Sequence, residues 1–161
     1  MKLEPFQKMA YWRAMPTTAD RERLLREVDL RVTRPRLAAL AAVHEHPHAD
    51  TNAIIEAVRA DIGDVSTQAV YDVLRALTEA GLVRRIEPAG SLPRYESRTG
   101  DNHHHVVCRS CGAIADVDCA TGHAPCLTAS DASGFLIDEA EVTYWGLCPE
   151  CATRTAPAAT T

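Results

Sequence analysis

The 161-residue chain has no apolar run long enough to span a membrane as a helix. Its first fifteen residues, MKLEPFQKMAYWRAM, lack the continuous apolar stretch and the A-x-A-like cleavage site of a secretory signal. It shows no internal repeat, no thioredoxin-like βαβ setting around its Cys-x-x-Cys pairs and no catalytic motif. These absences predict a cytoplasmic protein, where thiols stay reduced. In that compartment six cysteines point to metal or redox chemistry rather than to a disulfide framework.

A positive net charge is also missing. The 17 basic and 22 acidic residues leave a formal charge of −5, which argues mildly against nucleic acid as a partner. Its distribution qualifies that. Residues 1–17 carry +2, residues 18–98 carry −1 and residues 99–161 carry −6. The acid is concentrated at the C-terminal end, so the arginine-rich middle retains room for a local basic surface. The length suits one ordinary domain or two small ones.

Helical apolar spacing begins at TADRERLLREVDL, with Thr18 as the expected N-cap and Leu24, Leu25 and Val28 on one face. Pro35 suits the first turn of a second helix, capped by Thr33 and running through Val43. HPHAD interrupts it, and Thr51 is the expected cap of a third helix carrying Ile54, Ile55 and Val58. Ser66 caps a fourth, STQAVYDVLRALTEA, with Val70, Val73, Leu74 and Leu77 as its stripe and Gly81 closing it. LVRRIEPAGSLPRYES then reads as a hairpin around a Pro-Ala-Gly turn. Helices followed by a hairpin describe a winged helix-turn-helix, the Ser66 helix as reader and the hairpin as wing. A small helical domain with an incidental hairpin satisfies the same pattern.

After Gly100 the texture changes to β-rich stretches, HHHVVC, AIADVDC and FLIDEAEVTYWGLC, separated by turn-prone segments. The expected class is therefore α+β. A 1–17 extension precedes a winged-helix domain over 18–98, a small α/β metal-binding domain over 99–152, and a disordered tail over 153–161.

Two Cys-x-x-Cys pairs lie in the second part, Cys108 with Cys111 and Cys148 with Cys151. Each has a turn residue at or just after it, as in a zinc knuckle. Four thiolates converging from two knuckles make a closed tetrahedral site for Zn2+ that contributes folding energy outright. Two independent dithiols are the alternative. Cys119 and Cys126 remain over, either as buried or free thiols or as redox thiols.

In a strand, His103 and His105 share one face while His104 takes the other. Two imidazoles two residues apart can both reach one ion but do not complete its shell. Glu96, Asp116 and His48 are candidates to join them. Imidazole with carboxylate and no thiolate suits Fe2+, Mn2+ or Zn2+ without choosing among them.

Taken together, LRVTRPRLAAL, VSTQAVYDVLRALTEAGLV, GDNHHHVVCRSCG and WGLCPEC, in that order, resemble the ferric uptake regulator (Fur) family of metal-dependent repressors, from about Leu30 to Cys151. HPHAD, VDCATGHAPCLTASD and GFLIDEAEVTYWGLCPEC look most like its actinobacterial FurA/CatR branch, whose members repress catalase-peroxidase genes. The resemblance implies a homodimer with an N-terminal winged helix and a C-terminal dimerisation domain. It places structural zinc on Cys108, Cys111, Cys148 and Cys151, and a regulatory ion on His48, Glu96, His103, His105 and Asp116. A further site would draw on His104 and His123, but the histidine expected just before TYWGLC is absent, with Ala140 nearby. In the reading helix the arginine often found after the tyrosine is replaced by Asp72, which shifts base contacts onto Ser66, Gln68, Tyr71 and Arg75.

The expected mechanism is an ion that ties the two halves into one orientation. Two reading helices of the dimer then meet successive major grooves of an A/T-rich inverted repeat in double-stranded DNA. Arg31, Arg34, Arg36, Arg84, Arg85 and Arg94 are candidates for phosphate or minor-groove contact, or are ordinary solvated charges. The signal is metal itself, peroxide acting through iron on a ligand histidine, or thiol oxidation. Family members that sense peroxide usually carry aspartate where Glu96 stands, which favours plain metal sensing. A metalloenzyme using the same His, Glu and Asp residues and a zinc-scaffold interaction protein are the readings from other classes.

Overall fold

The computed structural model describes residues 17–88, 91–99, 103–118, 133–136 and 141–155, and the chain divides into two compact units, Met1–Asp101 and Asn102–Thr161. The first unit is built on four helices. Helix α1 spans Thr18–Glu27 and is capped by Thr17 rather than Thr18. Thr17 accepts from the Asp20 backbone N–H, and the Asp20 carboxylate accepts from the Thr17 backbone N–H in return. This reciprocal capping box decides between two adjacent threonines, because only Thr17 has an acidic residue three positions on.

Helix α2 spans Arg34–Glu45, with Thr33 at the N-cap and Pro35 in the first turn. It runs two residues beyond the expected end at Val43. Its buried face, Ala38, Ala39, Leu40, Ala42 and Val43, is mostly alanine, so α1 and the two following helices can pack closely on it. Helix α3, Thr51–Ile62, is capped by Asp50, whose Oδ1 accepts from the Ala53 N–H at 3.0 Å. Thr51 is instead its first residue and is buried. Helix α4, Thr67–Glu79, has Ser66 as its cap, with Oγ accepting from Ala69, and buries Val70, Leu74 and Leu77. Gly81 follows with φ +70°, the left-handed residue that closes a helix cheaply only without a Cβ.

The turn between α3 and α4 is pinned from within. Arg59 donates Nε to the carbonyl of Val65 at 3.1 Å and Nη2 to the hydroxyl of Thr67 at 3.2 Å, while Val65 itself is buried. The pair forms a helix-turn-helix with α4 as its second helix. Strands β2 (Arg84–Ile86) and β3 (Arg94–Glu96) pair antiparallel as the expected hairpin. HPHAD is more than an interruption: β1, Ala49–Asp50, pairs with β3 and gives the order β1-β3-β2. The result is a winged helix.

The second unit holds a three-stranded sheet ordered β5-β4-β6. Strand β4, His103–Cys108, is central. It pairs antiparallel with β5, Ile114–Asp118, and parallel with β6, Thr143–Gly146. Among the described residues of FLIDEAEVTYWG only Thr143–Gly146 are strand, and Phe135 and Leu136 are exposed outside it. Helix α5, Pro149–Thr155, includes the first three residues of the expected disordered tail. Its acidic Glu150 in the first turn and Arg154 in the last complement the helix dipole. The architecture is α+β, as the pattern of elements predicts.

Leu74 and Val43 are fully buried in the first unit's core. Leu74→Ala is expected to cost about 3 kcal/mol through lost burial and the residual cavity. The measurement is the urea midpoint by far-UV circular dichroism, and an unchanged midpoint would remove α4 from this core.

Candidate metal centres and nucleic-acid interface

The turn after β4 and the N-terminus of α5 bring together Cys108, Cys111, Cys148 and Cys151, whose Sγ atoms all lie within 4.8 Å of one another. Gly112, at φ +73°, makes the first knuckle, and the Gly112 N–H donates back to the Cys108 carbonyl at 2.9 Å. Cys111 Sγ and Cys148 Sγ are 3.7 Å apart, and all four residues are free cysteines. A disulfide needs about 2.05 Å. A tetrahedral Zn2+ with bonds of about 2.3 Å needs sulfurs about 3.8 Å apart.

The electrostatics agree with a cation. The backbone N–H groups of Cys148, at 3.3 Å, and of Cys111 hold the Cys108 thiol down at about 6. The Ser110 hydroxyl and then the Arg154 guanidinium, 2.8 Å from Sγ, lower that of Cys151. Cys111 goes the other way. The Ala113 N–H lowers it, yet the sulfurs of Cys108, Cys148 and Cys151 push it up to about 11. Four sulfurs this close cannot all carry charge alone, and a divalent ion removes that conflict. The residues fit zinc.

On β4 the histidines divide as strand alternation requires. The His103 and His105 rings meet edge to face with centroids 4.8 Å apart. Register sets His105 directly opposite Asp116, and Asp116 Oδ1 lies 3.7 Å from His105 Nε2 and 3.9 Å from His103 Nε2. All three histidines of the strand are buried. His104 sits on the other face with its ring 6.1 Å from that of Tyr144. It joins no group of three or more metal-binding donors among the described residues. His123, Cys119 and Cys126 lie outside the described residues. Two acids that the sequence pattern does not single out stand nearby. Asp118 pairs across from His103, and Glu141 Oε1 is 4.0 Å from His105 Nδ1. Only the strand register reveals them.

In the first unit, His48 and Glu96 come together: Nε2 to Oε2 is 3.3 Å. His48 adopts φ +61°, a conformation that costs a non-glycine residue energy unless its surroundings fix it. Its N–H donates to the Tyr95 carbonyl at 2.9 Å, and its carbonyl accepts from Arg94 Nη1 at 3.3 Å. The β1–β3 pairing thus aims the imidazole at Glu96. Glu96 is 1% exposed, and Arg84 Nε approaches its other oxygen to 3.9 Å.

The expected DNA contacts also find places. Gln68, Tyr71 and Arg75 are exposed on the outer face of α4, and Arg31 is exposed before α2. Ser66 already spends its hydroxyl on the helix cap. The wing arginines are less free than their number suggests. Arg84 faces Glu96, Arg94 faces Asp50 at 4.0 Å, and Arg85 pairs with Glu87. Arg36 donates to the Arg31 carbonyl at 2.8 Å.

A winged helix joined to a unit with a four-thiolate centre defines a metal-containing DNA-binding regulator. Residues 27–144 match the model of the ferric uptake regulator family. The chain is 70% identical over 137 residues to the transcriptional regulator FurA of Mycobacterium tuberculosis H37Rv, covering 85% of this chain and 93% of that protein. It is 29% identical over 130 residues to the peroxide-responsive repressor PerR of Staphylococcus aureus Mu50, covering 79% and 86% respectively. The fold matches the Helicobacter pylori ferric uptake regulator with a TM-score of 0.62 at 18% identity, over 86% of this chain and 94% of that one. The chain belongs to the ferric uptake regulator family, whose members are DNA-binding transcriptional regulators that act as dimers.

Cys108→Ser removes a buried thiol from the four-cysteine cluster. Protein purified from zinc-supplemented cells is expected to hold about one chelator-resistant zinc per chain as wild type and none as the variant, read by elemental analysis. Equal zinc in both would refute the four-thiolate centre.

Proposed function

We propose that this regulator represses transcription when one divalent ion takes ligands from both units: His48 and Glu96 from the first, His103, His105 and Asp116 from the second. What supports the reading is that each unit by itself gathers a buried but incomplete ligand set. His48 with Glu96 offers two donors, and His105 with Asp116 and His103 offers three. Fe2+, Mn2+ and Zn2+ all accept such donors, and the ion supplies a charge that neither half provides.

The chain's own groups do the rest. The hydrogen bonds at His48 hold its main chain in place before any ion arrives, and the β4–β5 register sets His105 opposite Asp116. Ordering the two units then costs only their relative freedom. Taking them from mostly open to mostly closed needs about 5 kcal/mol of differential affinity, within reach of several metal–ligand bonds. The closed homodimer presents two copies of α4 to successive major grooves, so the operator is an A/T-rich inverted repeat. Gln68, Tyr71 and Arg75 face the bases, Ser66 holds the helix start beside the phosphates, and Arg31 and Arg34 contact the backbone. The protein acts in the cytoplasm by binding rather than turnover, on iron-homeostasis or catalase genes. Cys108, Cys111, Cys148 and Cys151 hold zinc in every state.

The likeness to a peroxide-responsive repressor favours a second reading, in which peroxide and bound iron oxidise His103 or His105 and release the operator. Peroxide treatment of iron-loaded and manganese-loaded protein, followed by peptide mass spectrometry, separates the routes. An added oxygen on a ligand histidine only with iron supports peroxide sensing. Disulfides with either metal support a thiol switch, and an unmodified protein supports plain metal sensing.

Two outcomes test the main reading. Manganese is expected to raise wild-type affinity for its operator at least about a hundredfold, the effect of roughly 3 kcal/mol of coupling, and His105→Ala is expected to abolish that gain while preserving the zinc content. Affinity should also fall linearly on a log–log plot against salt, with a slope of about −0.9 per phosphate neutralised. Metal-independent or salt-insensitive binding would overturn it.

A further inference from the structure

The outer face of α4 carries an acid where a DNA reader has most to lose from one. Gln68, Tyr71, Asp72, Arg75 and Glu79 are exposed at helical spacing, opposite the buried Val70, Leu74 and Leu77. They border a groove of about 500 Å3 that continues to Arg85 and Leu92 of the wing. Asp72 stands in the middle of this face. Its Oδ1 accepts from Gln68 Nε2 and from Arg75 Nη2, at 3.2 Å each, and neither bond uses Oδ2.

An exposed ion pair three residues apart adds little stability, so the fold does not explain the arrangement. The chemistry of base recognition does. Arginine suits the O6 and N7 acceptors of guanine, and glutamine suits the N6 and N7 of adenine. Here both side chains are tethered to a group that can only accept. A carboxylate beside phosphates weakens binding to every sequence alike. At a base edge it tolerates a donor, cytosine N4 or adenine N6, and is repelled by guanine O6 or thymine O4.

We propose that Asp72 is a specificity-determining residue: it admits a cytosine or adenine edge before α4, rejects guanine and thymine there, and holds Gln68 and Arg75 in one arrangement. The inference rests on α4 being the reading helix. A long-range charge effect alone would be shared by Glu79, about two turns further along the same exposed face, whereas base discrimination belongs to Asp72 alone.

The test uses the full chain loaded with Mn2+, in wild type, Asp72→Ala, Asp72→Asn and Glu79→Gln forms, each checked for an unchanged thermal midpoint. Each selects from a randomised DNA duplex, and affinities are then measured on the selected site, its single substitutions and random duplex. Wild type is expected to select an inverted repeat with one cytosine-or-adenine position per half-site, where guanine or thymine costs about tenfold in affinity. Asp72→Ala should lose that penalty, and Asp72→Asn should accept guanine. Both should bind random duplex more tightly than wild type. Glu79→Gln should keep the wild-type base preference.

If the Asp72 variants return wild-type penalties at every position, the inference is overturned while the reading of α4 stands. It is likewise overturned if all three variants bind random duplex more tightly with no change in motif, since Asp72 is then an ordinary surface charge. A wild-type protein that selects no motif overturns the reading of α4, and the inference with it.

Discussion

Glu96 is a carboxylate with almost none of its surface in water, and a charge taken out of water must be matched by another. Much of the first unit's architecture serves that requirement. Strand β3 carries Glu96 beside Tyr95, a core residue, so the acid cannot swing out without disturbing the packing. Strand β1, only two residues long, exists to pair with β3, and that pairing holds His48 in a left-handed conformation 3.3 Å from the acid. Arg84 approaches from β2 on the other side. An imidazole and a guanidinium both stand close to the buried anion. On the proposed reading a divalent cation supplies the matching charge, and the strained His48 backbone and the buried carboxylate are kept together for that ion.

The second unit solves a different problem. Among its described residues the buried apolar side chains are Val107 and the cysteines Cys108 and Cys151. The four-cysteine cluster offers this unit a second way to hold together. It ties the end of β4 to the start of α5 across about forty residues, and a metal bound there is folding energy. Strand β4 buries three histidines in a row. Polar partners such as Asp116 determine what each imidazole contributes.

This contrast also explains how far the chain could be read without coordinates. The four helices, the wing, the two knuckles and the alternation of His103 and His105 against His104 were legible because each rests on a local rule: a cap, a period or a spacing. Ser66 shows this well, since one hydroxyl and an amphipathic stripe define α4 from sequence. The misses are non-local or decided by competition between neighbours. Thr17 wins over Thr18 through Asp20, and Asp50 over Thr51 because a carboxylate caps while Thr51 is buried. Strand β1 has no periodicity in two residues. Helix α5 hides in small polar residues whose composition imitates a tail. The partnership of Arg84 with Glu96, and of Arg94 with Asp50, appears only once the hairpin is paired.

Those arginine partnerships bear on how such a regulator can be switched at all. Nucleic-acid affinity is set largely by uncompensated positive charge, and this chain compensates much of its own. Arg23, Arg26, Arg75 and Arg85 all stand beside carboxylates of the first unit, as do Arg84 and Arg94. On the proposed reading a single winged helix is a weak electrostatic binder, and tight binding comes from the two of the dimer held at the spacing of successive grooves. Weakness of the isolated unit is what makes geometric control effective. A strongly basic domain would stay on DNA whatever its orientation, whereas a nearly neutral one responds to a coupling energy of a few kcal/mol. On that reading the acid on α4 belongs to the same design: lowering affinity for all sequences leaves discrimination, and the metal proposed to enforce the geometry, to decide whether the operator is held.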